Sequence, residues 1–457
     1  MTSAALSPPA VGEPATEPPV ALVGEPHARL LAGPPRHLGA EGFESHLERI
    51  GPLPLPEDRE ARRGVRDLLA AAGLRGRGGG EFPLHRKLEA AHGAGGRPIV
   101  VANGSEGEPA SRKDRTLLEL RPHLVLDGVE LVAAAVGAPR AVVLIEPGRA
   151  SAWRAVSRAL AERDAARRHR RRDLAAPEVQ VVAAPSRYVA GESSAVVEVL
   201  ESGLALPRRR RVPVAVEGVL GRPTVVSNVE TLAHVALVAR FGAPWFSSAG
   251  SDEVPGSTLV TLGGGAARPG LVAELLRPVP GHRLLSGLAG LAEAPAAVLV
   301  GGYGGRWIGG EAFSRTLVGR GMPGPGGRLL SLGCGLVAPL PAEACGLATT
   351  HRLLEWLAGE SAGQCGPCAF GLPELARRLG DVVAGRRSLG RLRRLSATAV
   401  SIKGRGACGH PDGAVALLES ALEVFDEDLR RHLAGRPCGR GADAGWFPLG
   451  SPPEEIP

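Results

Sequence analysis

The chain has 457 residues, too many for one ordinary core, and this length implies about two to four domains. Hydrophobic residues make up 44% and can fill such cores, while aromatics are only 3%; the net charge of +7 sits in arginine runs without interleaved aromatics, which excludes a base-stacking nucleic-acid platform. No apolar run reaches membrane-spanning length without a charge, and no charged segment followed by an apolar one opens the chain, so neither membrane insertion nor secretion is expected.

In chain order, residues 1 to about 50 are Pro- and Ala-rich without periodicity and read as a disordered lead. Arg62–Ala72 has helical spacing and runs into the glycine-rich stretch Gly73–Gly80. Strand-like runs follow at Pro98–Ala102, Ala141–Glu146 and Val179–Ala183, with helical patterns at Asp127–Val136 and Ser151–Arg163 between them. This alternation predicts an α/β domain with a mostly parallel sheet over 55–243. Apolar runs at Ser257–Gly263 and Ala296–Gly302, separated by Gly/Pro turns, predict a small β domain over 246–322. Helical patterns at Leu372–Val383, Leu389–Leu395 and Ala414–Leu433 place a helical domain over 325–440, and 441–457 reads as a tail.

Chemistry concentrates in a few blocks. Gly73-Leu-Arg-Gly-Arg-Gly-Gly-Gly80-Glu-Phe-Pro83 lets backbone N–H groups approach a phosphate, with Arg75 and Arg77 adding positive charge. It is not the dinucleotide fingerprint, because it follows a helix and lacks the last glycine of that pattern; alone it also reads as a flexible surface turn. Asn103-Gly-Ser-Glu106-Gly-Glu108-Pro109 precedes Lys113-Asp-Arg115, and Tyr188-Val-Ala-Gly191-Glu192-Ser-Ser-Ala195 and Gly221-Arg-Pro-Thr-Val-Val-Ser-Asn228-Val-Glu-Thr231 come later. Taken singly, each Asn or Glu reads as a helix cap or turn residue.

Together these blocks resemble the family of NADH-binding flavoprotein subunits of respiratory complex I, which includes diaphorase subunits of hydrogenases and formate dehydrogenases. The resemblance spans roughly residues 60–440. It implies an FMN-binding α/β domain, a β-grasp domain opening at Leu259-Val-Thr-Leu-Gly263, and a C-terminal helical iron–sulfur domain. It assigns Gly76, Arg77, Gly78, Gly79, Phe82, Lys87, Asn103, Glu106, Glu108, Gly191, Glu192 and Asn228 to FMN and NADH, with Glu106 and Glu108 as the catalytic carboxylates. NADH is the implied donor, and a ferredoxin-like or other redox protein the implied partner.

The match departs from the family at the dinucleotide side. Phe82 and Glu108 are kept, but Val214 stands where a Phe is usual, Ser105 and Ser193 replace acids, and Glu81 replaces the glycine before Phe82. Each lost aromatic stack costs about 1 kcal/mol or more. Glu81 introduces a charge expected to repel a dinucleotide phosphate. Arg208–Arg211 reads either as a partner for that pyrophosphate or as a solvated edge, and Arg167–Arg172 as a solvated helix end.

Six cysteines in so long a chain are not a disulfide framework, and a reducing cytoplasm is expected. Glu360-Ser-Ala362-Gly-Gln-Cys365-Gly-Pro-Cys368 is followed by Cys408. Alone, the C-x-x-C suggests zinc or redox thiols. In the resembling family four thiolates hold a [4Fe–4S] cluster, but here the first is Ala362. Cys365, Cys368 and Cys408 then suit a [3Fe–4S] cluster, or a [4Fe–4S] cluster with a non-cysteine fourth ligand; Ser361, His410, Cys345 and Cys334 are the available substitutes. A decayed site with leftover buried thiols is the remaining reading. Cys334, Cys345 and Cys438 are isolated in sequence and read as structural. The functional expectation is an oxidoreductase subunit passing electrons from NADH or another reduced donor through FMN to an iron–sulfur cluster. The alternative is a non-catalytic scaffold that has lost its redox centres.

Overall fold

The computed structural model describes residues 20–170, 176–209, 211–327, 329–386, 389–436, 438–441 and 445–450. Strand β1 (Val20–Ala21) and helix α1 (Phe43–Ile50) precede α2 (Arg59–Ala71), whose N-cap Asp58 accepts from Ala61 N–H at 2.8 Å. After the glycine loop come α3 (Leu84–Gly93), β2 (Ile99–Asn103), α4 (Lys113–Leu120) and α5 (Pro122–Val136). The α/β layer is completed by β3 (Arg140–Ile145), α6 (Ala150–Arg170), β4 (Glu178–Ala183), α7 (Ser193–Ser202), β5 (Thr224–Asn228) and α8 (Val229–Ser247).

These strands form one parallel sheet in the order β4-β3-β2-β5. All five residues of β2 are buried, as a strand covered on both faces requires, which is why its sequence is apolar up to Asn103. Helices α5 and α8 pack backbone to backbone: a Cβ on Gly128 would lie 1.9 Å from the Leu232 carbonyl oxygen. A buried cluster locks α1 to this layer. Asp127 accepts from His46 at 2.8 Å, and from Arg163 and Arg240 at 2.6 Å each.

The second layer contains β6 (Thr258–Leu262), β7 (Val272–Leu275), β8 (Val279–Pro280), α9 (Gly281–Arg283), β9 (Ala297–Val300), β10 (Arg306–Gly309), α10 (Gly310–Arg315), β11 (Leu317–Val318) and β12 (Leu336–Pro339). Its main sheet runs β1-β7-β6-β12-β9-β10, with β12 parallel to β6, and β8 pairs with β11 apart from it. Two expectations need correcting here. Strand β12 lies beyond the expected 246–322 segment yet is central to the sheet. The lead is structured from residue 20: β1 adds an edge strand, and the Glu274 carboxylate accepts from the N–H groups of Arg29, Leu30 and Leu31 at 2.9 to 3.1 Å.

Helices α11 (Gly346–Gly359), α12 (Leu372–Val383), α13 (Leu389–Ile402), α14 (His410–Val424) and α15 (Asp426–Leu433) share a core with the β layer through Trp307, Leu354, Leu375 and Leu418. The expected tail packs too, since Phe447 is fully buried and the Tyr303 hydroxyl donates to the Pro448 carbonyl at 2.6 Å. Ser451–Pro457 lies outside the described residues, as does part of each arginine run. No described helix is long and apolar enough to cross a membrane.

Candidate functional site

The sheet order reverses between β2 and β5, and in parallel sheets ligands bind beyond the strand C-termini at such a point. Asn103 ends β2, Asn228 ends β5, and the two are register partners. The glycine loop lies against them. A Cβ on Gly78 would come within 3.2 Å of Asn228 Cβ, and Gly79, at φ +98°, abuts Gly333. Close approach of main chain to this crevice therefore depends on missing side chains.

Buried polar groups fix the residues around this point. Asn103 Nδ2 donates to the Gly191 carbonyl at 2.9 Å, and its Oδ1 accepts from Ser105 N–H at 3.2 Å. Asn228 caps α8 by accepting from Glu230 N–H at 3.0 Å and donates to Asp114 at 2.7 Å. Lys113 Nζ lies 2.7 Å from Asp114 and 2.8 Å from Glu230, all three buried. Burial disfavours these charges, but they stabilise one another. Lys113 is held above the usual lysine range by both carboxylates, and Lys113, Arg320 and Arg77 bring Glu230 down to about 2 against its desolvation. Glu106 accepts from Ser111 Oγ at 2.7 Å and Asp114 N–H at 3.1 Å, so this carboxylate orients the turn into α4. Glu192 caps α7 through Ser194 and Ala195 N–H.

Glu108 differs from these. One oxygen accepts from Tyr303 N–H at 2.7 Å, while the other is buried without a partner. Burial pushes its pKa up to about 8, against hydrogen bonds from Tyr303 and Ala110 N–H. Ser105 Oγ is likewise buried and unpartnered. Orphaned polar atoms beside a crevice lined by glycine are what a polar ligand would satisfy. This donor set suits FMN: main-chain N–H groups for the phosphate, amides and carboxyls for the ring edge and ribityl chain.

Two expected contacts are placed otherwise. The Arg77 side chain runs into the interior, fully buried, and donates to the Pro255 carbonyl at 2.6 Å, so it anchors the loop instead of facing ligand. Glu81 does not present a free charge. It takes up φ +45° and pairs with buried Arg320 at 2.7 Å, which corrects the expected repulsion. Phe82 is 47% exposed at the mouth, with Lys87 Nζ 6.0 Å from its ring centroid. Lys87 also donates to the Val226 carbonyl at 3.0 Å, and burial lowers its pKa. Arg208 pairs with Glu198 at 2.9 Å.

The three spaced cysteines come together. Cys365, Cys368 and Cys408 line one cavity with Val189, Ala362 and His410. Burial and the neighbouring thiols Cys365 and Cys408 push Cys368 up to about 12. Bound metal would have to displace that proton. His410 Nε2 contacts the Leu357 carbonyl at 2.8 Å and its Nδ1 is buried without a partner, so the cavity wall holds one uncommitted nitrogen besides the thiols. The donor set fits an iron–sulfur cluster held by three thiolates. Of the other substitutes, Ser361 is beside Cys368, whereas Cys334 lies against Gly302 and Glu108, and Cys345 lies with His432 and Cys438.

Sequence reasoning left Lys113, Asp114 and Glu230 unassigned, although all three lie inside the motif blocks: Lys113 and Asp114 in the charged run Arg112–Arg115, and Glu230 just after Asn228. Arg320, in a glycine-rich turn, offered no such signal.

The chain matches the Nuo51 FMN-binding domain over residues 69–237 and the NADH-ubiquinone oxidoreductase-F iron-sulfur binding region over residues 348–432. It is similar to one of the NADH-quinone oxidoreductase F subunits of Rhizobium meliloti, with 31% identity over 81% of this chain and 89% of the relative. The corresponding F subunit of Streptomyces coelicolor is 30% identical over 88% of each chain. Among solved structures, a chain of an NAD+-reducing [NiFe]-hydrogenase in the H2-reduced state superposes with a TM-score of 0.74 at 26% identity, covering 88% of this chain and 67% of that one. The ordered motif blocks, the switch-point crevice and the thiol cavity agree with these likenesses, and the chain belongs to the family of NADH-quinone oxidoreductase F subunits, an oxidoreductase family.

Proposed function

We propose that the chain takes electrons from NADH at the β2–β5 crevice and passes them through FMN to an iron–sulfur cluster held by Cys365, Cys368 and Cys408, and then to a redox protein of ferredoxin type in the cytoplasm. One observation carries this reading. The short segment 188–192 borders both sites: the Gly191 carbonyl accepts from Asn103 in the crevice, while Val189 lines the thiol cavity. Tyr188 N–H donates to Glu360 at 2.8 Å, and its ring packs edge-on to Trp356, tying the same segment to the helical region.

FMN, when bound, exchanges electron pairs with a nicotinamide and single electrons with a cluster. The chain's own residues do the rest. Gly76, Gly78 and Gly79 admit the phosphate and ribityl chain. Asn103, Gly191, Glu192 and Asn228 fix the crevice wall against the ring. Glu106 orients the turn that carries Glu108, and Glu108, protonated near neutrality, offers a hydrogen bond to ring or nicotinamide. Phe82 and Lys87 frame the dinucleotide entrance.

Anaerobic purification followed by NADH titration of the visible spectrum tests the proposal. A flavin envelope with a broad iron–sulfur shoulder, bleached by NADH, is expected. Flavin bleached by dithionite but untouched by NADH would overturn the donor, and a protein colourless after flavin and iron–sulfur reconstitution would overturn the redox role. Asn103→Ala and Glu106→Ala should each lower flavin occupancy; full retention in both would refute the crevice assignment.

A further inference from the structure

A second group of metal-ligand side chains lies at the far end of the helical region. Cys345, at the N-cap of α11, His432, in the last turn of α15, and Cys438, beyond it, bring their ligand atoms within 4.8 Å of one another. Cys345 and His432 are almost wholly buried. This group is separate from the thiol cavity: Cys345 precedes α11 and Cys365 follows it, and 14 helical residues span about 21 Å.

The geometry points to a tetrahedral zinc site formed by Cys345, His432 and Cys438, with a solvent molecule as fourth ligand, clasping residues 438–441 to the helical region. Three features carry it. Cys345 Sγ and His432 Nε2 are 3.6 Å apart, and a tetrahedron with Zn–S of about 2.3 Å and Zn–N of about 2.0–2.1 Å has an S···N edge of about 3.6 Å. The other ring nitrogen, Nδ1, lies 2.8 Å from the Val383 carbonyl oxygen, an acceptor only; Nδ1 therefore carries the proton and Nε2 presents its lone pair to the two sulfurs. Protein contacts bring the ligands together without metal: Cys345 N–H donates to the Gly441 carbonyl at 2.8 Å, and the Arg440 side chain pairs with Asp428 at 2.7 Å. Two thiolates and one imidazole select zinc over harder cations. A cavity lined by His351, Glu355, Arg440 and His432 opens beside the site and supplies solvent for the fourth position.

The test uses the full chain, purified anaerobically without chelator, with zinc and iron per chain measured by mass spectrometry. One zinc per chain is expected, independent of iron. Cys345→Ser combined with Cys438→Ser should lower zinc at least about tenfold while iron and flavin stay, and Cys365→Ser should lower iron while zinc stays. Cobalt(II) added to metal-stripped wild-type chain should give the intense visible bands of tetrahedral thiolate coordination, a readout that needs no variant to fold. Absence of zinc after incubation with zinc chloride, zinc retained in the double variant, missing cobalt bands, or a Cys345–Cys438 disulfide in the anaerobically denatured chain would each overturn the site.

Discussion

The two halves of the proposed electron path are stabilised in different ways. The frame of the crevice at β2 and β5 is held by its own protein contacts: Lys113, Asp114, Glu230 and Asn228 pair with one another in the interior, the glycine loop is anchored behind by Arg77, and orphaned atoms of Glu108 and Ser105 are left for a ligand. The thiol cavity has no buried ion-pair cluster among its lining residues. Burial raises the proton affinity of Cys368 and Cys408, and one corner is Ala362, which binds nothing. The crevice is therefore preorganised without cofactor, whereas the cavity gains its cohesion from what it binds. This difference is consistent with a relative that tolerates loss of a cluster ligand while keeping every flavin block.

The strongest way to break the comparison is at the cavity. Cys365→Ser should reduce iron per chain at least about tenfold, because two thiolates cannot retain a cluster that three hold. Flavin content should stay the same, since Cys365 lines the thiol cavity and not the crevice. Simultaneous loss of flavin, measured on the same sample by absorbance, would show that the two sites fold as one unit.

Lys113→Met tests the opposite side. It removes the cation between two buried carboxylates, and breaking such a cluster costs about 3–5 kcal/mol. Thermal unfolding should show a large fall in Tm, with flavin lost at a lower temperature than iron. An unchanged Tm would mean that the crevice is not preorganised by charge.

How far these contrasts could be read in advance differs by region. Strands β2, β3 and β4 were legible as apolar runs bounded by Gly and Pro, although only β2 is buried throughout, whereas β5, which ends at Asn228, was not among the expected strands. Strand β12 was not, since four residues ending in proline, Leu336–Pro339, carry no periodicity of their own and are strand only through pairing with β6 and β9. Strand β1 has the same cause: two residues whose partner lies in β7. Arg77 reads in sequence as a cation offered to phosphate, and only the fold shows its guanidinium turned toward Pro255. Cys365 and Cys368 announce themselves by spacing, while Cys345 and His432 are 87 residues apart, a separation with no motif to signal it.

Glu108 sharpens the comparison by pH. Burial lifts its pKa from 4.5 to about 8, so between those values the folded chain keeps a proton the unfolded chain has released. That contribution is complete below the unfolded pKa, and stability declines as pH rises toward about 8. Glu108→Gln cannot ionise and should gain Tm on wild type between about pH 5 and about pH 9. A difference that stays flat with pH would place the carboxylate in a wetter setting than the structure gives it.

The smallest effect is expected at Glu81. Glycine there relieves a left-handed backbone that costs a non-glycine residue about 1 kcal/mol, but it also removes the carboxylate paired with Arg320. Arg320 keeps Thr258 Oγ1 at 2.9 Å and the Gly333 carbonyl at 3.2 Å, so the two effects should nearly cancel in stability. Because the charge is already neutralised, Glu81→Gly should change KM for NADH by less than about threefold, under 1 kcal/mol. A tenfold lower KM would instead mean that the Glu81–Arg320 pair opens when dinucleotide enters, leaving the carboxylate to oppose the incoming phosphates, and the preorganisation seen behind the glycine loop would then stop at its outer edge.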